Sequence, residues 1–144
     1  MSVLIQEIKQ KTSKYKTNLY IEMTIDDAIG YANIIAEHLA NARIKTHQLR
    51  RFFSAIKNIQ NNVDSKNMQA ISPLHEEDYA ELQMLRPQLA NAAGRLKFNE
   101  KKAFEDFIEI TKPIFQQVKN NQDFKRFVNF FESIIAYHKA YALE

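Results

Sequence analysis

The sequence predicts an all-α fold, a compact bundle of about five helices. Three observations carry that reading. Glycine and proline are scarce, with two and three copies in 144 residues, which is poor punctuation for a sheet protein and ordinary for helices joined by turns. Apolar residues make up 45% of the chain, and they recur at spacings of three and four rather than two. Cysteine is absent, so neither a disulfide framework nor a thiolate metal site supplies the stability. The length fits one domain with one core. No run of about 18 apolar residues and no signal-like start is present, so the expectation is a soluble cytoplasmic protein with no membrane partner.

The elements follow from local patterns. Residues 1–20 alternate lysines with Val3, Leu4, Ile5 and Ile8, which reads as a short helix followed by a basic, weakly ordered segment, ahead of a single helical domain over 21–144. Thr24 with Asp27 forms the pattern of a capping box, and Ile25, Ile29, Ala32, Ile35, Ala36 and Leu39 follow at helical spacing, predicting a helix over about 25–41. Thr46 is the predicted N-cap of the next, whose stripe is Leu49, Phe52, Phe53, Ile56 and Ile59 and whose end falls near Asn61 or Asn62. "NNVDSKNMQAISP" lacks periodicity and reads as the longest internal loop, the segment expected to be disordered.

A third helix is expected to start within Ser72–Glu76, with Pro73 near its first turn and Glu76, Glu77 and Asp78 where the helix dipole favours negative charge. Leu82 and Leu85 supply its apolar side. Pro87 then either kinks that helix or begins another at "PQLANAAGRLKF". Asn99 is the expected cap of a helix carrying Phe104, Phe107, Ile108, Phe115 and Val118, with a kink near Thr111 ahead of Pro113. The last helix places Phe124, Phe127, Val128, Phe131, Ile134, Ile135, His138 and Ala142 on one stripe, widened by Phe130, Tyr137 and Tyr141. So wide an arc belongs either to a central helix buried on most sides or to one that faces a partner, and in isolation it could drive a dimer with a swapped helix.

The net charge is only +3, but it is segregated. No Asp or Glu occurs from His38 through Val63, where Arg43, Lys45, Arg50, Arg51 and Lys57 stand. A second acid-free window carries Arg86, Arg95 and Lys97, and a third, Ile8 to Ile21, carries Lys9, Lys11, Lys14 and Lys16. Carboxylates gather at Glu76, Glu77, Asp78 and Glu81 and at Glu100, Glu105, Asp106 and Glu109. Such a split suits a polyanion on one face; its ordinary alternative is that charge runs merely solvate helices.

Chemistry has less support. His38, His47, His75 and His138 show no metal-ligand spacing, and His138, on an apolar stripe, reads as a core histidine. A glycine-rich phosphate loop and a nucleophile elbow are both missing. An isomerase recruiting Arg50, Arg95 and Glu132 is the nearest enzyme reading, and the expectation is no enzyme, no cofactor and no metal. Binding fits better. With Leu49, Phe52, Phe53 and Ile56 facing the core, Arg50 and Lys57 fall on one flank about two turns apart, and Arg51 and Asn58 point outward. Such a rail beside Ser54 and Asn61 suits successive phosphates of a single strand rather than base edges. Tryptophan is absent and the aromatics lie mostly on core stripes, so base stacking is not strongly indicated.

Three blocks, "THQLRRFF", "LRPQLANAAGR" and "FFESIIAYHKAY", together resemble the small helical subunit of the type III-A (Csm) CRISPR effector complex. The likeness rests on Thr46, Gln48, Leu49 and Arg50; on Leu85, Pro87, Leu89, Ala90, Ala92, Gly94 and Arg95; and on Phe127, Phe131, Glu132, Ile134, Ala136, Tyr137, His138 and Lys139, in that order. Asn91 stands where the family commonly has tyrosine. The resemblance implies a non-catalytic subunit in antiviral defence, several copies of which line a filament beside a backbone subunit and a large polymerase-like subunit, with crRNA and target RNA in the groove. On this reading Arg50, Arg51, Lys57 and Arg95 lead the RNA contacts, Arg43, Lys45, Arg86, Lys97 and Lys139 support them, and Gly94 with its neighbouring alanines lets another backbone approach. The alternative is a structural adaptor whose aromatic C-terminal strip docks neighbours without touching RNA.

Overall fold

The computed structural model describes residues 2–66 and 70–143. Among them are seven helices and no strand: α1 (Val3–Ser13), α2 (Leu19–Glu22), α3 (Ile25–Asn41), α4 (Thr46–Asp64), α5 (Glu76–Gly94), α6 (Phe98–Gln116) and α7 (Asn121–Tyr141). The class is the expected one; the count of about five omitted α1 and the four-residue α2. Both reach the core through Ile5, Ile8 and Leu19, with α1 lying on α3 and α6 and α2 on α7. No helix among the described residues is long and apolar enough to cross a membrane.

Helix α7 is the centre. It packs on α2, α3 and α4, and its rings join a chain in which Phe52, Phe104, Phe107, Phe131, Phe127 and Phe115 touch in succession at centroid distances of 4.9 to 6.2 Å. Phe124, Phe130 and Ile134 are buried as well, so most of the wide arc is core, while Tyr137 is half-buried and Tyr141, at its end, is exposed. The α3 stripe differs from expectation: Ala28, Ala32, Ile35, Ala36 and Leu39 are buried, whereas Ile25 and Ile29 are 41% and 40% exposed. Alanines let α3 lie along α7, the most extensive helix pair of the fold, and turn the isoleucines to the rim.

Helix boundaries moved where tertiary contacts competed for the capping group. Thr24 caps α3 as expected, its hydroxyl accepting from the Asp27 N–H at 3.1 Å. Thr46, the expected cap of α4, is its first residue instead; it is buried, its hydroxyl faces His138 Nδ1 at 3.3 Å, and Lys45 is the N-cap. Helix α4 also runs on to Asp64, past the expected end near Asn61 or Asn62, because Val63 still finds the core. Lys97 rather than Asn99 precedes α6. Ser72 and Pro73 lie outside α5 and strap the loop to the α6–α7 turn: Asn121 N–H donates to the Ser72 carbonyl at 3.0 Å and Leu74 N–H to that of Lys119 at 3.1 Å. Pro87 sits inside one continuous helix rather than starting another; it is exposed, so the Gln83 carbonyl that loses its partner can be hydrated. Of the loop expected to be disordered, residues 67–69 lie outside the described residues.

Candidate nucleic-acid interface

The turn from α3 into α4 supplies the first candidates. Arg43 N–H donates to the Ala40 carbonyl at 3.0 Å and Ile44 N–H to that of Leu39 at 3.1 Å, the paired bonds of a Schellman motif with Arg43 at the left-handed position, φ 71°. Ile44 is drawn into the core and Arg43 left in solvent. The turn is fastened to α7 by His138, which is fully buried. Its Nε2 lies 2.8 Å from the Ile44 carbonyl, and since a carbonyl only accepts, the proton is on Nε2. His138 is thus the core histidine its stripe suggested, and it pins the end of α7 to the start of α4.

That pin assembles a basic cluster. Lys45, Thr46, His47 and Arg50 of the α4 start and Lys139 of α7 line one open depression of about 290 Å³. Lys45, Arg50 and Lys139 are exposed, and among the described residues none pairs with a carboxylate. The field is unbalanced in a second way. The first turn of α4 has no acidic residue, so the positive end of its dipole adds to the cations, whereas α5 begins with Glu76, Glu77 and Asp78. An anion is the natural complement of the α4 end.

The other candidates are dispersed. Arg51 lies with its guanidinium 5.6 Å from the Phe52 ring centroid and Lys57 with its ammonium 5.9 Å from that of Phe53, along α4 from the depression. Arg86 donates to Gln83 Oε1 at 3.2 Å and lines, with Lys112, a shallow groove between α5 and α6. Arg95 and Lys97 belong to the connection between those helices. Arg43, Arg51, Lys57, Arg86, Arg95 and Lys97, too, make no ion pair among the described residues.

Linear acid-free windows did not all survive folding. Ala90, Ala93 and Gly94 form a depression with Lys101 and Ile108 into which α6 brings Glu105 and Glu109, so the small-residue patch has carboxylates beside it in space. Gly94 has no positive φ, and a Cβ built there meets nothing within 4 Å; neither conformation nor crowding inside the chain requires glycine. Lys9, from the third window, is consumed: its ammonium contacts Asp106 at 2.7 Å and Glu109 at 2.8 Å, while His38 Nε2 lies 3.0 Å from the other Asp106 oxygen. Burial pushes the Asp106 carboxyl up, but donation from Lys9 and His38 outweighs it and holds the group below its ordinary range. Burial likewise pushes Lys9 down and is outweighed by Asp106 and Glu109, leaving it raised.

Sequence reasoning passed over two surface residues. His47, dismissed with the other histidines as a metal ligand, lines the basic depression; its place beside Arg50 on the polar side of the α4 stripe was the available signal. Phe98 is 88% exposed, and nothing in its local pattern marks it. No curated protein and no solved structure matches the chain. The Csm2 Type III-A family model, by contrast, matches residues 22–144, a span that holds α3 to α7, the basic depression and all three motif blocks. The chain therefore belongs to the Csm2 Type III-A family, the small subunit of the type III-A CRISPR complex.

Proposed function

We propose that the chain is a non-catalytic, cytoplasmic subunit that grips the sugar-phosphate backbone of crRNA or target RNA, copies of it lining a filament beside the backbone and large polymerase-like subunits in antiviral defence. The observation that carries this reading is the α4 end, where Lys45, Arg50 and Lys139 converge on one depression without a carboxylate partner among the described residues. Arg51 and Lys57 extend the positive track along α4; Arg43, Arg86, Arg95 and Lys97 are peripheral contacts. Each copy holds few phosphates weakly, and repetition along one strand multiplies the hold. With ~3 phosphates per copy, log affinity for a single strand falls against log salt with a slope of about −2.

Filter binding of oligoribonucleotides across a salt series tests the electrostatics, and an affinity indifferent to salt rejects it. In the assembled complex, Arg50→Glu with Arg95→Glu, and separately Arg50→Glu with Lys139→Glu, are expected to lower target-RNA retention while the helical circular dichroism stays unchanged. Retention equal to wild type in both removes these positions from the site. With the aromatic C-terminal strip mostly in the core, the adaptor reading shifts from it to exposed Tyr20, Ile21, Ile25 and Ile29 around α2 and the start of α3. Serine at the three isoleucines that costs assembly, with RNA binding by the free chain intact, favours it.

A further inference from the structure

The connection between α5 and α6 holds the least expected residue of the surface. Helix α5 ends by tightening: Arg95 N–H donates to the Ala92 carbonyl at 3.2 Å and Leu96 N–H to that of Ala93 at 3.1 Å. Leu96 turns inward against the core, Lys97 is extended at φ −133°, and Phe98 then opens α6 at φ 53° with 88% of its surface exposed. Two unfavourable features coincide there. A bulky side chain in the left-handed region is strained, and a phenyl ring in water forgoes the burial that usually recommends phenylalanine. Arg43, the other non-glycine residue at positive φ among the described residues, serves a Schellman cap; Phe98 closes no such motif. An exposed apolar residue alone needs no explanation, but strain that presents an aromatic ring to solvent is a functional signature.

The surroundings say what the ring would meet. Arg95 and Lys97 precede it in the chain, both exposed and without a carboxylate partner among the described residues. Glu100 is half-buried in the first turn of α6, where the helix dipole favours it. An aromatic ring beside cations is the combination by which proteins hold single strands without reading sequence, the ring taking a base face and the cations the phosphates. We propose that Phe98 is a stacking platform for an unpaired RNA base, with Arg95 and Lys97 holding the adjoining phosphates. The assignment rests on the RNA-contacting reading above and adds base stacking, which the sequence did not strongly indicate.

Because the chain has no tryptophan, Phe98→Trp installs a single indole at the ring position. Titrated with oligouridylate and oligoadenylate at low salt, that variant is expected to bind within about twofold of wild type with its indole emission quenched. Phe98→Asn, a residue at ease at positive φ, is expected to bind about tenfold more weakly with the same salt slope, yet to melt at a higher temperature. That opposition separates a stacking role from a structural one, which would lower both. Wild-type affinity in Phe98→Asn, or RNA binding that leaves the indole emission unmoved, overturns the proposal while leaving the phosphate reading standing. Intact RNA affinity with reduced self-association would make the ring a protein anchor and overturn it too. Should the wild-type chain show no salt-dependent RNA binding, the phosphate reading fails and the stacking role falls with it.

Discussion

Lys9 and Arg50 both come from acid-free stretches of sequence, and folding gives them opposite fates. Lys9 is gathered into a half-buried cluster with Asp106, Glu109 and His38, which ties α1 and α3 to α6. Arg50 stands with Lys45 and Lys139 at an open depression, none of the three paired with a carboxylate among the described residues. One set of charges is used up holding helices together; the other remains available to a ligand. Free and consumed cations are told apart by what another helix brings, so neither net charge nor local spacing identifies a binding site.

If that contrast is right, each side should fail in its own way. The largest effect is expected at Asp106→Ala, which leaves His38 without its carboxylate and Lys9 with only the exposed Glu109; breaking a buried pair in this way costs about 3 kcal/mol, read in urea unfolding, with salt-dependent RNA affinity preserved in the folded fraction. Next comes His138→Leu, which leaves the buried Ile44 carbonyl without its donor. A cost of about 2 kcal/mol is expected, together with weaker RNA binding, since the same residue holds Lys139 beside Lys45 and Arg50.

The pH dependence is smaller and has two edges. Asp106 lies below its ordinary 3.8 when folded, so its contribution is present above that value and lost as pH falls through the folded one. Lys9 lies above its ordinary 10.5, so its contribution is complete below that value and lost as pH rises further. Unfolding midpoints against pH should therefore show an acid decline that is shallower in Asp106→Asn; identical acid limbs would break the pairing. On the other side, Arg50→Gln with Lys139→Gln should change stability by less than about 0.5 kcal/mol while flattening the salt slope of RNA binding. The smallest change is Gly94→Ala, a gain of up to about 0.5 kcal/mol in thermal stability, because nothing within the chain occupies the space.

How much was legible varies from helix to helix. The bounds of α3 could be read directly, since Thr24 caps one end with its own side chain and the apolar spacing runs to the other. The N-cap of α4 could not, because the hydroxyl that suits a cap is engaged by a histidine 92 residues away. The core status of the α7 arc was one of two readings, and only the helices packed around it decide between them. Basic residues were all visible, and so was their lack of local carboxylates. Their grouping was not: Lys139 is remote in sequence from Arg50, and Arg95 lies on a different connection.

What the amino-acid order determined alone is the helical class, the apolar stripes and the supply of cations, because these follow from composition and from periods of three and four along a single helix. Which cations stay unpaired, whether small residues have acids beside them, and which ring is left in water were decided by tertiary structure. Electrostatic pairing and burial depend on distance through space, and the decisive partners, such as Asp106 for a lysine 97 residues earlier, reach their places only when the bundle closes.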